Sequence, residues 1–305
     1  MFLSLGLPTH LVEAGADLIS AEAVTEMSRA AEAAGFDAVF TTDHPFPGDQ
    51  WLAHGGHHTL DPMVTLSFAA AATTRLRLHT NLFVPAYRNP YLSAKMLSSL
   101  DALSGGRLIL GVGAGYLEPE FAALGADFAN RNDVLDDALR AMRAAWTGES
   151  VDGNTMRPRP AQNRIPVWVG GNSKRAIRRV VDLGDGWLPM PAPAAASKYL
   201  KTPGLETLDD LKARLDYARE YAESVGRTDP IDITFMPRGM SMFDGDGIDH
   251  EAIVADLTEQ AEYGVTGVTL TLPATTRAQY LEQTAALGEL VVPRVTNLKV
   301  RPLLG

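Results

Sequence analysis

A cluster of histidines follows a short apolar run near residue 40, and imidazole side chains are suited to proton transfer. The run AVFTT at 38–42 leads into Asp43 and His44, and four of the seven histidines belong to this segment and its loop. Imidazole has an ordinary pKa of about 6.5, so it can give or take a proton near neutral pH. We therefore predict that His44 is a catalytic proton donor or acceptor, and a neighbouring carboxylate such as Asp43 could orient it.

A metal site is a second interpretation of this loop, and a polar surface loop is the third. Its other histidines are His54, His57 and His58. Their spacing lacks the i, i+4 pattern by which H-E-x-x-H presents two ligands on one helix face, although separated ligands can converge. We predict no metal site, and a surface role is favoured for these three histidines. A metal-dependent hydrolase built on them with Asp43 and His44 is the alternative enzyme class.

Two later segments place polar or small residues where predicted strands end. Asn81 interrupts the apolar run at 76–84, and its amide could hydrogen-bond a heterocyclic ligand or cap a loop. In GVGAGY at 111–116, Tyr116 occupies the position of the last glycine of G-x-G-x-x-G, which argues against a Rossmann site. Gly113 would instead let a flat ligand lie close to the backbone beside Tyr116, or form a tight turn.

The best candidate for anion binding follows the predicted strand at 166–169. Gly170, Gly171, Asn172 and Ser173 lead directly into a helix, whose free N–H groups and dipole favour a phosphate. The helix begins with four basic side chains at i, i+4 spacing: Lys174, Arg175, Arg178 and Arg179. These could extend a positive field toward an anionic tail, or form an ordinary outward face.

These segments are positioned by a repeating unit of strand and helix. Short apolar runs at 2–7, 38–42, 76–84, 107–113, 166–169, 186–189, 231–236 and 266–272 alternate with amphipathic helical patterns. Eight such units predict an α/β fold, a (β/α)₈ TIM barrel that forms a single domain over 1–305, with helical insertions after strands four and six. The candidate residues follow the strands' C-terminal ends, where such barrels carry their active sites.

Composition excludes several classes of function. The 305 residues carry a net charge of −10, so the chain lacks the basic footprint of a nucleic-acid or membrane-surface binder. It has no cysteine, which excludes disulfides, thiolate metal sites and cysteine nucleophiles. No run approaches the roughly 18 apolar residues of a membrane span, and the first residues do not resemble a signal peptide. We expect a cytoplasmic protein with a small-molecule substrate.

The order of motifs resembles the luciferase-like monooxygenase superfamily, specifically its F420-dependent oxidoreductase branch. The resemblance rests on the Asp-His pair after strand two and on the segments TNLFVPAYRNP, LSGGRLILGVGAGYLEPEF and IPVWVGGNSKRAIRRVVDLGDGWLP. It is strong over about residues 1–190 and rests on secondary-structure rhythm beyond them. It implies a (β/α)₈ barrel with a flavin or deazaflavin across its C-terminal mouth, and a homodimer.

The resemblance also assigns roles to single residues. A non-proline cis peptide between Asn81 and Leu82 would support the central ring of the cofactor. Asp43 and His44 would lie near the ring system, with His44 moving the proton. The segment 170–173 would hold the cofactor phosphate.

The predicted activity is hydride transfer between coenzyme F420 and a small carbonyl, enone or alcohol. The alternatives are an FMN-dependent monooxygenase that uses reduced flavin and O₂, and a cofactor carrier without catalysis. Sugar-phosphate dehydrogenases of the superfamily use a glutamate in the strand-four loop where this chain has Tyr116. A substrate pocket edged by Trp51, Phe83, Tyr87 and Tyr116 favours a less polar substrate, although each ring could be barrel packing.

Overall fold

Eight parallel strands close into a barrel in the order of the chain. The computed structural model describes residues 1–238, 248–300 and 302–304. The strands are β1 (Phe2–Gly6), β2 (Ala38–Thr41), β3 (Arg77–Phe83), β4 (Leu108–Val112), β5 (Val167–Gly170), β6 (Gly186–Leu188), β7 (Asp232–Phe235) and β8 (Gly267–Leu270).

Helices surround the barrel and form its insertions. They are α1 (Ala21–Ala33), α2 (Asp49–Leu52), α3 (Pro62–Ala72), α4 (Pro90–Ser104), α5 (Glu118–Ala123), α6 (Arg131–Trp146), α7 (Lys174–Leu183), α8 (Ser197–Leu200), α9 (Leu208–Ser224), α10 (His250–Glu262), α11 (Arg277–Leu290) and α12 (Val292–Val295).

Alternation along the strands separates a helix-facing core from the barrel interior. In β1, Leu3 and Leu5 are completely buried in the main hydrophobic cluster, which also contains side chains of the surrounding helices. Ser4, between them, contacts His79 of β3, with Ser4 Oγ 3.2 Å from His79 Nδ1. Because side chains alternate across a strand, one face of each strand packs on helices and the other fills the barrel.

Local sequence signals set the helix boundaries. Asn89 accepts hydrogen bonds from two N–H groups of the first turn of α4, and Pro90 occupies its first position. The same helix ends at Gly105, whose φ of 71° is left-handed, a conformation that glycine adopts without a Cβ clash. Thr207 and Asp210 form a reciprocal capping box at the start of α9.

The predicted barrel is confirmed, and an additional helix precedes the barrel helix after β4 (α5 before α6) and after β6 (α8 before α9). The residues of the four-residue helices α2, α8 and α12 were not predicted, because these helices are too short to show a helical period. The single domain over 1–305 stays a prediction. Within the described residues, none of the helices has the length and hydropathy needed to cross a membrane.

Candidate active site

His44 follows β2 and points its ring toward a carboxylate that lies far away in the sequence. His44 Nδ1 lies 3.3 Å from Glu120 Oε2, and their side chains are 12% and 0% exposed. The expectation that Asp43 orients His44 is therefore wrong. Glu120 belongs to α5 and takes that place from the loop after β4.

Asp43 is instead the buried partner of Arg88. Its two carboxylate oxygens accept hydrogen bonds of 2.6 and 2.8 Å from the guanidinium, and the Val84 N–H donates a third, of 3.0 Å. Arg88 also lies 4.4 Å above the Phe83 ring. Asp43 thus fixes the backbone that follows β3. Phe83 is completely buried in the core and does not edge a substrate pocket.

Glu120 accepts hydrogen bonds from three separate segments. Besides His44, the Tyr87 hydroxyl donates to Oε2 at 2.7 Å and the Phe46 N–H donates to Oε1 at 3.0 Å. Burial alone raises the pKa of Glu120, but hydrogen bonds from His44, Tyr87 and Phe46 outweigh it, and the net pKa lies below its ordinary value. The carboxylate is therefore ionised at neutral pH. Burial, and then the bond to Glu120, raises the pKa of Tyr87, which stays a hydrogen-bond donor.

Aromatic and imidazole rings surround His44. The centroid of its ring lies 4.7 Å from Trp51, 5.2 Å from His57 and 6.0 Å from Tyr116. His57 in turn lies 5.5 Å from His10, which follows β1. We call these five residues the His44 wall. The sequence predicted Trp51 and Tyr116 as substrate-contacting residues, and the structure brings both beside His44. Tyr87, the third, directs its hydroxyl to Glu120.

The titratable side chains around His44 in this wall are held in their neutral forms. Burial, followed by repulsion from His57, lowers the pKa of His10 to about 4. Burial is also the largest cause that lowers the pKa of His57. Burial, and then the charge of Glu120, raises the pKa of Tyr116 to about 12. At neutral pH these three side chains therefore present an uncharged surface.

The predicted cis peptide between Asn81 and Leu82 is confirmed. The Leu82 side chain lies against two glycines of neighbouring strands. A Cβ at Gly113 would lie 3.0 Å from Leu82 Cδ1, and a Cβ at Gly170 would overlap the same methyl group. These glycines make room for the Leu82 side chain, whereas the sequence interpretation had assigned Gly113 to a flat ligand and Gly170 to the cofactor phosphate.

The turn after β5 uses its polar groups within the protein. Asn172 is 2% exposed, and its side-chain amide bonds both the N–H and the C=O of Met190. Its own N–H donates to Thr202 Oγ1 at 2.8 Å. The Gly171 N–H donates to the Leu188 carbonyl. Ser173 caps α7 by accepting from the Ala176 N–H.

The basic start of α7 is largely neutralised or packed. Arg175 pairs with Asp133 and Asp136 of α6, and the buried Arg179 pairs with Asp136 as well. Lys174 lies over the ring of Tyr217, and Arg178 donates to the Tyr217 hydroxyl. Because these basic side chains have partners within the protein, the structure does not support the idea that they attract an anionic tail.

The remaining loop histidines do not converge on a metal site. His54 and His58 are exposed, and His54 Nδ1 lies 2.7 Å from the Gln50 carbonyl. Within 1–238, 248–300 and 302–304, no three His, Cys, Asp or Glu side chains are grouped to hold a metal ion. The hydrolase alternative thus gains no support from the geometry.

Sequence reasoning missed Glu120, Arg88 and His10. Glu120 lies in the first turn of a short helix, where acidic residues are common because they interact favourably with the helix dipole. Its residue type therefore did not indicate a role in the site. Its partner His44 is 76 residues away, and no local pattern predicts that contact.

The family profile of the luciferase-like monooxygenases matches residues 1–286. The chain belongs to this family. An F420-dependent glucose-6-phosphate dehydrogenase of Intrasporangium calvum is 35% identical over 173 residues, which are 52% of this chain and 50% of that protein. The chain aligns with 66% of the length of the first curated relative that it matches, and with 55% and 50% of two F420-dependent glucose-6-phosphate dehydrogenases.

Solved structures support the fold. A monooxygenase from Streptomyces bottropensis superposes with a TM-score of 0.77 at 18% identity, over 96% of this chain and 99% of that one. An F420-dependent secondary alcohol dehydrogenase, solved with an F420-acetone adduct, has a TM-score of 0.69 at 17% identity, over 96% and 98%. This protein is thus a luciferase-like barrel in a family whose members include F420-dependent oxidoreductases.

Proposed function

We propose that this protein transfers a hydride between coenzyme F420 and a small uncharged carbonyl, enone or alcohol. The observation that carries the proposal is the pairing of His44 with the buried Glu120 among uncharged rings. It supplies a proton-transfer group that is held by a buried carboxylate and whose neighbouring rings carry no charge. The F420-dependent dehydrogenases among the relatives support the choice of cofactor.

The residues present fit a flat redox cofactor with an anionic tether. Asn81 and Leu82 are half-buried at the end of β3, and the Asn81 side-chain amide bonds no other described residue. That amide is free to bind a heterocycle. Ser173 occupies the Ala176 N–H, but the N–H groups of Lys174 and Arg175 at the start of α7 bond no other described residue and suit a phosphate.

Within that arrangement His44 moves the proton. Nδ1 faces Glu120, so the other ring nitrogen, Nε2, accepts the hydroxyl proton when an alcohol is oxidised and returns it in reduction. Bound F420 would supply the carbon that takes or gives the hydride. Trp51 and Tyr116 flank the imidazole and limit water around it.

The wall also favours an uncharged substrate. His10, His57 and Tyr116 are neutral at pH 7, and the nearby Arg88 is occupied by Asp43. A sugar phosphate would need a cation in place of these rings. We therefore expect ketones, enones or secondary alcohols to be better substrates than glucose 6-phosphate.

The proposal is tested by anaerobic turnover of 2-propanol and glucose 6-phosphate with oxidised F420, and of cyclohex-2-enone with reduced F420. We expect F420-dependent conversion of one of the two uncharged probes. His44→Ala should lose on the order of 10²-fold or more in kcat with F420 binding kept, while the exposed control His54→Ala stays near wild type. Oxygen consumption with reduced FMN, without anaerobic F420 turnover, would establish the monooxygenase alternative instead. Cofactor binding with turnover that is indifferent to His44→Ala would contradict the role of His44.

The proposal includes a homodimer, in which α3 of each protomer packs against the other protomer. This helix has no charged residue, and Val64 and Phe68 are 59% and 44% exposed on its surface. Apolar surface of this kind is typical of an interface between copies. Sedimentation velocity measures the mass directly.

A further inference from the structure

We propose that Glu120 is a positioning residue that holds His44 in the tautomer with its proton on Nδ1 and so presents a bare Nε2 to the substrate. The juxtaposition of His44 Nδ1 with a completely buried, triply hydrogen-bonded carboxylate carries this proposal. Its catalytic consequence rests on the proposed function. The tautomer itself is a property of the protein alone.

The protonation state of Glu120 decides which nitrogen of His44 carries the proton. An ionised carboxylate only accepts hydrogen bonds, so an imidazole nitrogen that bonds it must carry a hydrogen. Since Oε2 lies 3.3 Å from Nδ1, the neutral ring has its hydrogen on Nδ1. The other nitrogen, Nε2, is then an acceptor, which suits removal of a hydroxyl proton.

Three donors keep the completely buried Glu120 ionised. The Tyr87 hydroxyl and the Phe46 N–H bond it in addition to His44. An isolated buried carboxylate would take up a proton, and a protonated Glu120 could donate to Nδ1 and reverse the tautomer. The surrounding donors therefore fix the direction of the hydrogen bond.

Glu120 also joins three loops at the mouth of the barrel. The residue itself follows β4, its partners His44 and Phe46 follow β2, and Tyr87 follows β3. A single carboxylate thus holds the imidazole relative to two neighbouring strand ends. Because its side chain is completely buried, Glu120 is not placed to contact substrate.

Glutamine at position 120 removes this control with little change in shape. A glutamine amide has one oxygen and one NH₂ group, so it cannot accept from Phe46, Tyr87 and His44 on two oxygens as the carboxylate does. When its NH₂ group faces Nδ1, the imidazole must accept there and carry its proton on Nε2. Glu120→Gln should therefore shift His44 toward the Nε2–H tautomer.

The test is the tautomer of His44 in the cofactor-free protein, measured by two-bond ¹H–¹⁵N correlation with the His44 signals assigned from their loss in His44→Gln. We expect the Nδ1–H tautomer to predominate in the wild type, and the Nε2–H fraction to grow in Glu120→Gln. Glu118→Gln, an exposed position on the same helix, is the matched control and should match the wild type. Tyr87→Phe, which removes one donor but leaves the His44 contact, should keep the Nδ1–H tautomer.

Kinetics then connect the tautomer to catalysis. Glu120→Gln should lower kcat on the order of 10²-fold, since the wrong tautomer removes the proton acceptor, with little change in KM. A wild-type His44 in the Nε2–H form would overturn the proposal, as would an unchanged tautomer in a folded Glu120→Gln. If Glu120→Gln does not fold, the wild-type and Tyr87→Phe spectra still decide it. An Nδ1–H wild type without F420 turnover would refute the proposed function and leave the positioning role of Glu120 standing.

Discussion

The loops after β2, β3 and β4 and the turn after β5 all follow C-terminal ends of barrel strands, but they use their polar groups differently. In the first region, the loops after β2, β3 and β4, the Glu120 carboxylate accepts hydrogen bonds from several donors. It contacts only Nδ1 of His44 and leaves Nε2 available. In the second region, the turn after β5, Asn172 and Gly171 direct their polar groups to neighbouring backbone and to Thr202. Residue types suitable for binding occur in both, but buried polar groups are first satisfied by the protein. Only polar groups that have no partner within the protein are available to bind a ligand.

The largest expected effect lies in the first region, at the ion pair of Asp43 and Arg88. Arg88→Met leaves a buried carboxylate without its partner, which should cost about 3 kcal/mol of unfolding free energy in chemical denaturation. Arg140→Met, which breaks an exposed pair with Asp137, is the control and should cost less than about 1 kcal/mol. The double variant Arg88→Met/Asp43→Asn should recover part of the loss. Equal costs for Arg88→Met and Arg140→Met would show that Asp43 is not a structural carboxylate.

An intermediate effect is expected from the second region. Asn172→Ala removes the partners of the Met190 N–H and of the carbonyls of Met190 and Pro203. We expect a loss of about 1 to 3 kcal/mol in unfolding free energy, together with weaker cofactor binding as the turn loosens. Asn154→Ala, at an exposed position, should change neither measurement appreciably. If Asn172→Ala instead weakened only binding and left stability unchanged, Asn172 would be a direct ligand, and the contrast between the two regions would fail.

These two predictions also mark what the sequence could and could not show. Strand and helix periodicity predicted the barrel and its insertions, because those patterns are local. The resemblance predicted the cis peptide at Asn81, and histidine chemistry pointed to His44. The partners of His44 and Asn172, which are Glu120 and Thr202, could not be predicted from the sequence. These contacts join loops that are far apart along the chain. The Leu82 contact at Gly170 could not be predicted, because a glycine in the sequence does not show which group fills the space beside it.

The smallest effect concerns the pH dependence of stability through His10. Burial and then His57 lower the pKa of His10 to about 4 in the folded protein, against about 6.5 when unfolded. Between these values the unfolded chain binds more protons, so the stabilisation from neutral His10 is complete above pH 6.5 and falls as the pH decreases toward 4. His10→Gln should therefore flatten the slope of unfolding free energy against pH in this window. Parallel slopes for variant and wild type would indicate that His10 titrates normally and that the His44 wall is open to water.

The identity of the cofactor is the central claim, and an anaerobic equilibrium titration of the purified protein with F420 and, separately, with FMN tests it most directly. We predict saturable F420 binding at one molecule per chain, with FMN bound much more weakly. Tight FMN binding in the absence of any F420 binding would contradict the assignment.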